Sequence, residues 1–285
     1  MRPFRIATRA SALALAQAGW VAERLAAAHP GITVSLVEVA TTGDTDRTSS
    51  VTTLTEIGAF VRSVQAAVRD DRAEVAVHSC KDLPVAGPEE LSAVFPERES
   101  PWDVLCGSSL DDLRHGARVG TGSPRRAAQI RRLRPDLAVD DIRGNVDTRL
   151  GRVASGAFDA IVLAEAGLNR VGLRHEIAQI FEVDEMVPAP AQGALAVEVR
   201  RDSPASELLA FLDHPPTRAA VEAERALLER TGAGCRAALG ALAYLDGTST
   251  TMHGFVEDDS GARSARVRHA DAAVASRLLQ QELGL

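Results

Sequence analysis

Apolar positions recur along the chain with two alternating periods. Residues 4–9 form a short apolar run, 11–28 repeat apolar positions at helical spacing, 33–39 alternate, 60–69 are helical again and 75–80 are mostly apolar. Those periods predict strand, helix, strand, helix, strand. The series then repeats, with strands expected at 119–122, 137–142 and 159–164 and helices at 123–133 and 145–154. The fold class expected is therefore α/β, with two doubly wound domains. The apolar run 194–199 has no parallel partner nearby and is expected to return to the first sheet. Beyond Pro215-Pro216 the pattern changes to a long helix at 217–230, alternating segments within 238–268 and a last helix over 270–282, which predicts a small α+β C-terminal domain. The boundaries expected are 1–97 with 194–212, then 98–193, then 216–285.

Composition narrows the class. A chain of 285 residues, 45% hydrophobic, has room for two or three cores. No basic-plus-apolar leader and no run of about 18 uncharged apolar residues is present, so a cytoplasmic protein that avoids the membrane is expected. The net charge of −7 offers no general field for nucleic acid. Cys80, Cys106 and Cys235 are odd in number and lack metal-ligand spacing, which argues against a disulfide framework and against a structural zinc site; no metal is expected.

Position makes the cations informative. In open α/β sheets ligands gather beyond the carboxyl ends of the strands. There the chain places Arg9 and Ser11, Lys81 and Asp82, the run Thr121-Gly122-Ser123-Pro124-Arg125-Arg126, and Arg143 to Arg149. Ser11 and Ser123 are spaced to cap the helices that follow. Arginine in a first helical turn is unfavourable by roughly 0.3–1 kcal/mol unless an anion lies close, and Arg125 and Arg126 both sit there. Four cationic junctions point to a cleft for a ligand with several carboxylates or phosphates. Asp82 is the exception in such a cleft. Either it pairs with Lys81 or an arginine, or it faces a cation formed during a reaction. Two unit charges about 4 Å apart at an effective dielectric of about 20 attract by about 4 kcal/mol, equivalent to about a thousandfold in rate.

These segments, with Ala76-Val77-His78-Ser79-Cys80-Lys81-Asp82-Leu83-Pro84, Ala166-Gly167-Leu168-Asn169-Arg170, Pro190-Ala191-Gln192-Gly193-Ala194 and Gly232-Ala233-Gly234-Cys235, resemble the porphobilinogen deaminases, also called hydroxymethylbilane synthases. The resemblance runs in order through nearly the whole chain. It implies three domains, the first two of periplasmic-binding-protein type, and a dipyrromethane cofactor held by a thioether to Cys235. Read without the resemblance, Cys235 is a buried free thiol. The resemblance further implies that Asp82 is the catalytic carboxylate. Arg9, Ser11, Lys81, Thr121, Ser123, Arg125, Arg126, Arg143, Arg149, Arg170 and Gln192 would bind cofactor and substrate. The activity implied joins four molecules of porphobilinogen, with loss of ammonia, into linear hydroxymethylbilane for tetrapyrrole and haem biosynthesis, in a monomer.

The chain departs from the family pattern in places. Thr55-Glu56-Ile57-Gly58-Ala59-Phe60 stands where many members carry a Gly-Gly-Lys-Gly-Leu-Phe loop, so the loop lysine is missing. Gly122 replaces a common serine, Asn169 a common lysine, and Arg236-Ala237-Ala238 lacks the proline that often follows the cysteine. Two competing readings are a two-lobed solute-binding protein, which leaves the cysteine motif unexplained, and a member that has lost catalysis, which retained Asp82 opposes.

Overall fold

The computed structural model describes residues 3–39, 53–231 and 238–285, the side chains of 53–57 excepted. The elements begin with β1 (Phe4–Arg9), α1 (Ala12–Ala28), β2 (Val34–Val39), α2 (Thr53–Arg69), β3 (Val75–Ser79) and β4 (Leu91–Val94). Next come β5 (Asp103–Cys106), β6 (Arg118–Gly120), α3 (Pro124–Leu133), β7 (Ala138–Asp140), α4 (Val146–Ala154), β8 (Ala160–Ala164), α5 (Glu165–Arg170) and β9 (Ile177–Ile180). The remainder is β10 (Leu195–Arg200), α6 (Pro204–Leu209), α7 (Pro215–Arg230), β11 (Ala238–Asp246), β12 (Ser249–Asp258), β13 (Gly261–His269) and α8 (Ala272–Leu283). Two compact units result, Met1–Arg98 with Ala194–Arg218, and Glu99–Gly193 with Ala219–Leu285.

The first unit holds a five-stranded sheet in the order β2-β1-β3-β10-β4. β1 pairs in parallel with β2 and β3, whereas β10 runs antiparallel between β3 and β4. The return of 194–199 to this sheet is thus observed. Alternation of side chains along each strand sends Ile6, Val77 and Val197 toward α1, where they meet Val21 and Leu25, and sends Ala7 and Ala76 toward Val64 and Val68 of α2. Both faces are covered, which is why these strands read as continuous apolar runs. Each fully buried Leu or Val contributes about 1.5–3 kcal/mol by leaving water.

The second unit repeats the plan. Its sheet runs β7-β6-β8-β5-β9, with β6 parallel to β7 and β8, and β5 antiparallel to β8 and β9. Leu105, Val119, Ile130 and Phe181 fill one face, Val104, Ile142, Ile161 and Leu168 the other. The alternating tail forms the antiparallel sheet β11-β12-β13, with α8 packed on β12 and β13. It belongs to the same compact unit, because Ala128 and Val187 pack with Ala238 and Phe255 and because buried Glu224 of α7 accepts the N–H groups of Ala191 (2.5 Å) and Ala243 (2.7 Å). β4, β5, β9, α5 and α6, none longer than six residues, were not expected from periodicity. α2 starts at Thr53 rather than 60, so the departing segment Thr55 to Phe60 lies in a helix. No helix among the described residues is long and apolar enough to cross a membrane.

Candidate functional site

In the first unit the carboxyl ends of the neighbouring parallel strands β1 and β3 lie side by side. The turn after β1 is fixed by two local bonds. Thr8 donates its hydroxyl to the Ala14 carbonyl (3.0 Å), and Ser11 caps α1 by accepting the Ala14 N–H (3.3 Å), as expected of that serine. Arg9 stacks its guanidinium 4.1 Å from the centre of the Phe60 ring. Stacking uses the face of the guanidinium, whereas carboxylates are taken by the in-plane N–H groups.

After β3 the chain makes one tight helical turn, Cys80–Asp82. The Cys80 N–H donates to the carbonyl of Ala194, the residue before β10 (3.0 Å), the Leu83 N–H donates back to the Cys80 carbonyl (3.1 Å), and Cys80 and Leu83 are buried on either side of the partly exposed Lys81 and Asp82. Asp82 then lines a cavity of about 100 Å³ together with Arg9, Ser11, Phe60, and Gln17, whose amide donates to Ser79 (2.9 Å). Among the described residues the Asp82 carboxylate has no hydrogen bond and no ion pair. Its pairing with Lys81 or an arginine, one of the two readings open from sequence, is not the geometry found.

In the second unit the junctions after β6 and β7 adjoin. The Thr121 N–H donates to Asp140 (3.0 Å), and a Cβ on Gly122 would sit 3.1 Å from Asp141 Oδ1. Ser123 caps α3 by accepting the Arg126 N–H (3.4 Å), with Pro124 in the first turn. Arg125 and Arg126 find their anion inside the protein. Asp103 of β5, fully buried, receives Arg125 Nη1 (2.7 Å) and Arg126 Nε (2.8 Å). Arg125 also donates to the Val187 carbonyl (2.7 Å) and Arg126 to that of Val162 (3.0 Å). Gln192 joins the cluster, donating to Asp103 (3.0 Å) and accepting from Arg126 (3.4 Å). Burial alone would raise the Asp103 carboxyl, but the two guanidiniums, with hydrogen bonds from Arg125 and Gln192, hold it far below the usual carboxylate range. Two guanidiniums on one carboxylate leave one positive charge in excess.

Arg143 is exposed, pairs with Asp141 (3.1 Å) and lines a cavity of about 320 Å³ with Arg118 and Arg152. Arg149 donates to the Gly144 carbonyl (2.7 Å). Gly144 has φ of +109°, and a Cβ there would meet Thr148 Cβ at 2.9 Å. Gly144→Ala is therefore expected to cost about 1–3 kcal/mol, read as a lower denaturant midpoint at unchanged slope. Arg170 donates to the Gly193 carbonyl (2.7 Å); burial lowers its pKa to about 10 against the opposing charge of Glu99, so it stays protonated at neutral pH. Cys106 is an inert thiol, since burial, reinforced by Glu176, pushes its pKa up to about 12. Cys80 is buried as well. Cys235 and its motif, residues 232–237, lie outside the described residues.

Sequence reasoning missed Asp103, which organises three of the expected ligand-binding residues. The available signal was an acid opening the apolar run Val104-Leu105-Cys106.

A model of the family described as "Porphobilinogen deaminase, dipyromethane cofactor binding domain" matches residues 4–207. A porphobilinogen deaminase of Roseiflexus castenholzii is 46% identical over 273 residues, covering 94% of this chain and 90% of the relative. That of Thermobifida fusca is 49% identical over 247 residues, covering 85% and 77%. Among solved structures, substrate-binding domain 2 of Lactococcus lactis GlnP in its open conformation aligns with 81% of this chain and 91% of its own at 13% identity and a TM-score of 0.44, which adds nothing to the topology above. With a family model spanning most of its length and relatives at this identity, the chain belongs to the porphobilinogen deaminase family.

Proposed function

We propose that this chain performs its family's reaction as a transferase, joining porphobilinogen units head to tail with loss of ammonia to give linear hydroxymethylbilane, and that Asp82 is its catalytic carboxylate. The observation that carries the assignment is an Asp82 side chain without an ion pair among the described residues, lining one cavity with Arg9 and Ser11.

That donor set fits a dipyrromethane. Its acetate and propionate groups need cations and hydroxyls, which Arg9 and Ser11 offer, and its pyrrole N–H groups need an acceptor, which Asp82 offers. When bound, the cofactor supplies the nucleophilic ring carbon. Cys235 is the residue we assign to its thioether. The remaining work belongs to the protein. Arg9 and Ser11 grip a carboxylate and hold a ring within reach of Asp82. Porphobilinogen that has lost ammonia is a cation, and Asp82, anchored by its tight turn, presents a fixed negative charge to it. In the second unit we assign Thr121, Ser123, Arg143 and Arg149 to carboxylates of the lengthening chain. Arg125, Arg126 and Gln192 act there through the excess positive charge of their cluster with Asp103. Lys81 and Arg170 complete the set. Use of many separate cations suits a ligand that gains carboxylates with every ring. An odd number of cysteines without CxxC spacing supports a reducing, cytoplasmic setting, and we take the protein to be a monomer, which its sedimentation would check.

Intact mass tests the attachment. Protein made in a cell that synthesises tetrapyrroles should be heavier than its sequence by two linked pyrrole units, and Cys235→Ala should weigh only what its sequence does. An unmodified wild-type mass, or excess mass retained in Cys235→Ala, would overturn the assignment of Cys235.

A further inference from the structure

The cavity of the first unit has a second titratable wall. His78, the fourth residue of β3, lines it alongside Asp82 and Arg9. Its ring is backed by Glu198 of β10, with Nε2 3.1 Å from Glu198 Oε2, within ion-pair reach though short of an aligned hydrogen bond. Gln65 of α2 donates its amide to both Glu198 oxygens (3.0 and 2.9 Å). His78 and Glu198 are only 7% and 6% exposed. A buried carboxylate beside an imidazole is costly, and well-packed apolar residues would serve stability at least as well. The arrangement also favours one tautomer of the ring. A bare nitrogen 3.1 Å from a carboxylate would oppose two lone pairs, so the contact favours a hydrogen on Nε2, which in the neutral ring leaves the free pair on Nδ1. Nδ1 has no protein partner among the described residues.

We propose that His78 is a second acid–base residue of the condensation, accepting at Nδ1 the proton that leaves ring carbon each time a ring is added, with Glu198 stabilising the resulting imidazolium and Gln65 holding Glu198 in place. This rests on the reading of Asp82 above, and it gives the released proton a destination other than Asp82. Each condensation replaces a C–H bond by a C–C bond. The C–H bond breaks, its electron pair returns to the ring, and an N–H bond forms at Nδ1. The imidazolium then passes the proton to the ammonia released in the same cycle, which leaves as ammonium, so no other reactant is needed.

The test uses holoenzyme carrying its covalent cofactor, verified by mass, and porphobilinogen bearing hydrogen or deuterium at its free ring carbon. His78→Gln should lower kcat about a hundredfold and slow the deuterated substrate further, because proton removal then limits the rate. Nitrogen-15 spectra of the resting histidine-labelled protein, in which His78 is identified as the signal lost in His78→Gln, should show the hydrogen on Nε2. Should His78→Gln fail to fold, Glu198→Gln, which preserves size but removes the charge and turns one acceptor oxygen into a donor, should show a smaller loss with the same isotope dependence. Turnover within about twofold of wild type, a loss without an isotope effect, or a hydrogen on Nδ1 would overturn the proposal. Normal turnover of Asp82→Asn would instead overturn the reading on which it rests, whereas an inactive Asp82→Asn beside a normal His78→Gln would remove this inference alone.

Discussion

Asp82→Asn is expected to lower turnover by about a thousandfold while leaving the fold intact. Asparagine keeps the shape and can still accept a hydrogen bond, so the substitution removes little besides the charge. That charge faces a cation which exists only after ammonia has left, and an attraction of about 4 kcal/mol present only there appears almost wholly in kcat. Stability should move by no more than about 0.5 kcal/mol, because among the described residues Asp82 has no ion pair to lose. Steady-state rates with a parallel denaturant titration check both halves, and the contrast separates a catalytic carboxylate from a structural one.

Asp103→Ala should do the reverse and act first on stability. It removes the one carboxylate that, among the described residues, pairs with two nearly buried guanidiniums, whose side chains are 4% and 7% exposed. Stranding buried charge in this way costs about 3–5 kcal/mol, a large part of the stability of a typical domain. The loss should appear as a lower midpoint of urea unfolding, with displacement of Ser123, Gln192 and the first turn of α3 following from it. Acid should reproduce part of the effect in the wild type. The folded-state pKa of Asp103 is depressed, so its contribution is fully present above the unfolded value of about 4 and is lost as pH falls below it. In Asp103→Asn that part of the acid dependence should vanish.

Much of this arrangement is legible in the residues. Fully buried strands such as β1 and β3 announce themselves as apolar runs, and Ser11 and Ser123 mark helix starts through chemistry local to one turn. Arg125 and Arg126 are also informative, since two cations in a first turn do require an anion. What the sequence cannot supply is the partner's address. Asp103 lies 22 residues before Arg125, on a strand of four residues whose pairing is entirely nonlocal, so neither periodicity nor spacing points to it. The same limit applies to Asp82 and His78. The residues offered Lys81 or an arginine as the partner of Asp82, whereas the cavity that Asp82 shares with His78 is assembled from β1, α1, α2 and β3. Gln65 of a helix likewise meets Glu198, the strand residue that backs His78, across 133 residues of chain.

The central claim is that the Asp82 carboxylate drives ring addition and is not needed to hold the covalent cofactor. Mass spectrometry of Asp82→Asn, taken before and shortly after mixing with porphobilinogen, tests this most directly. The protein should arrive carrying its two pyrrole units and gain no further ring on a timescale where the wild type passes through successive additions. A ladder of added rings in Asp82→Asn at the wild-type pace would contradict it.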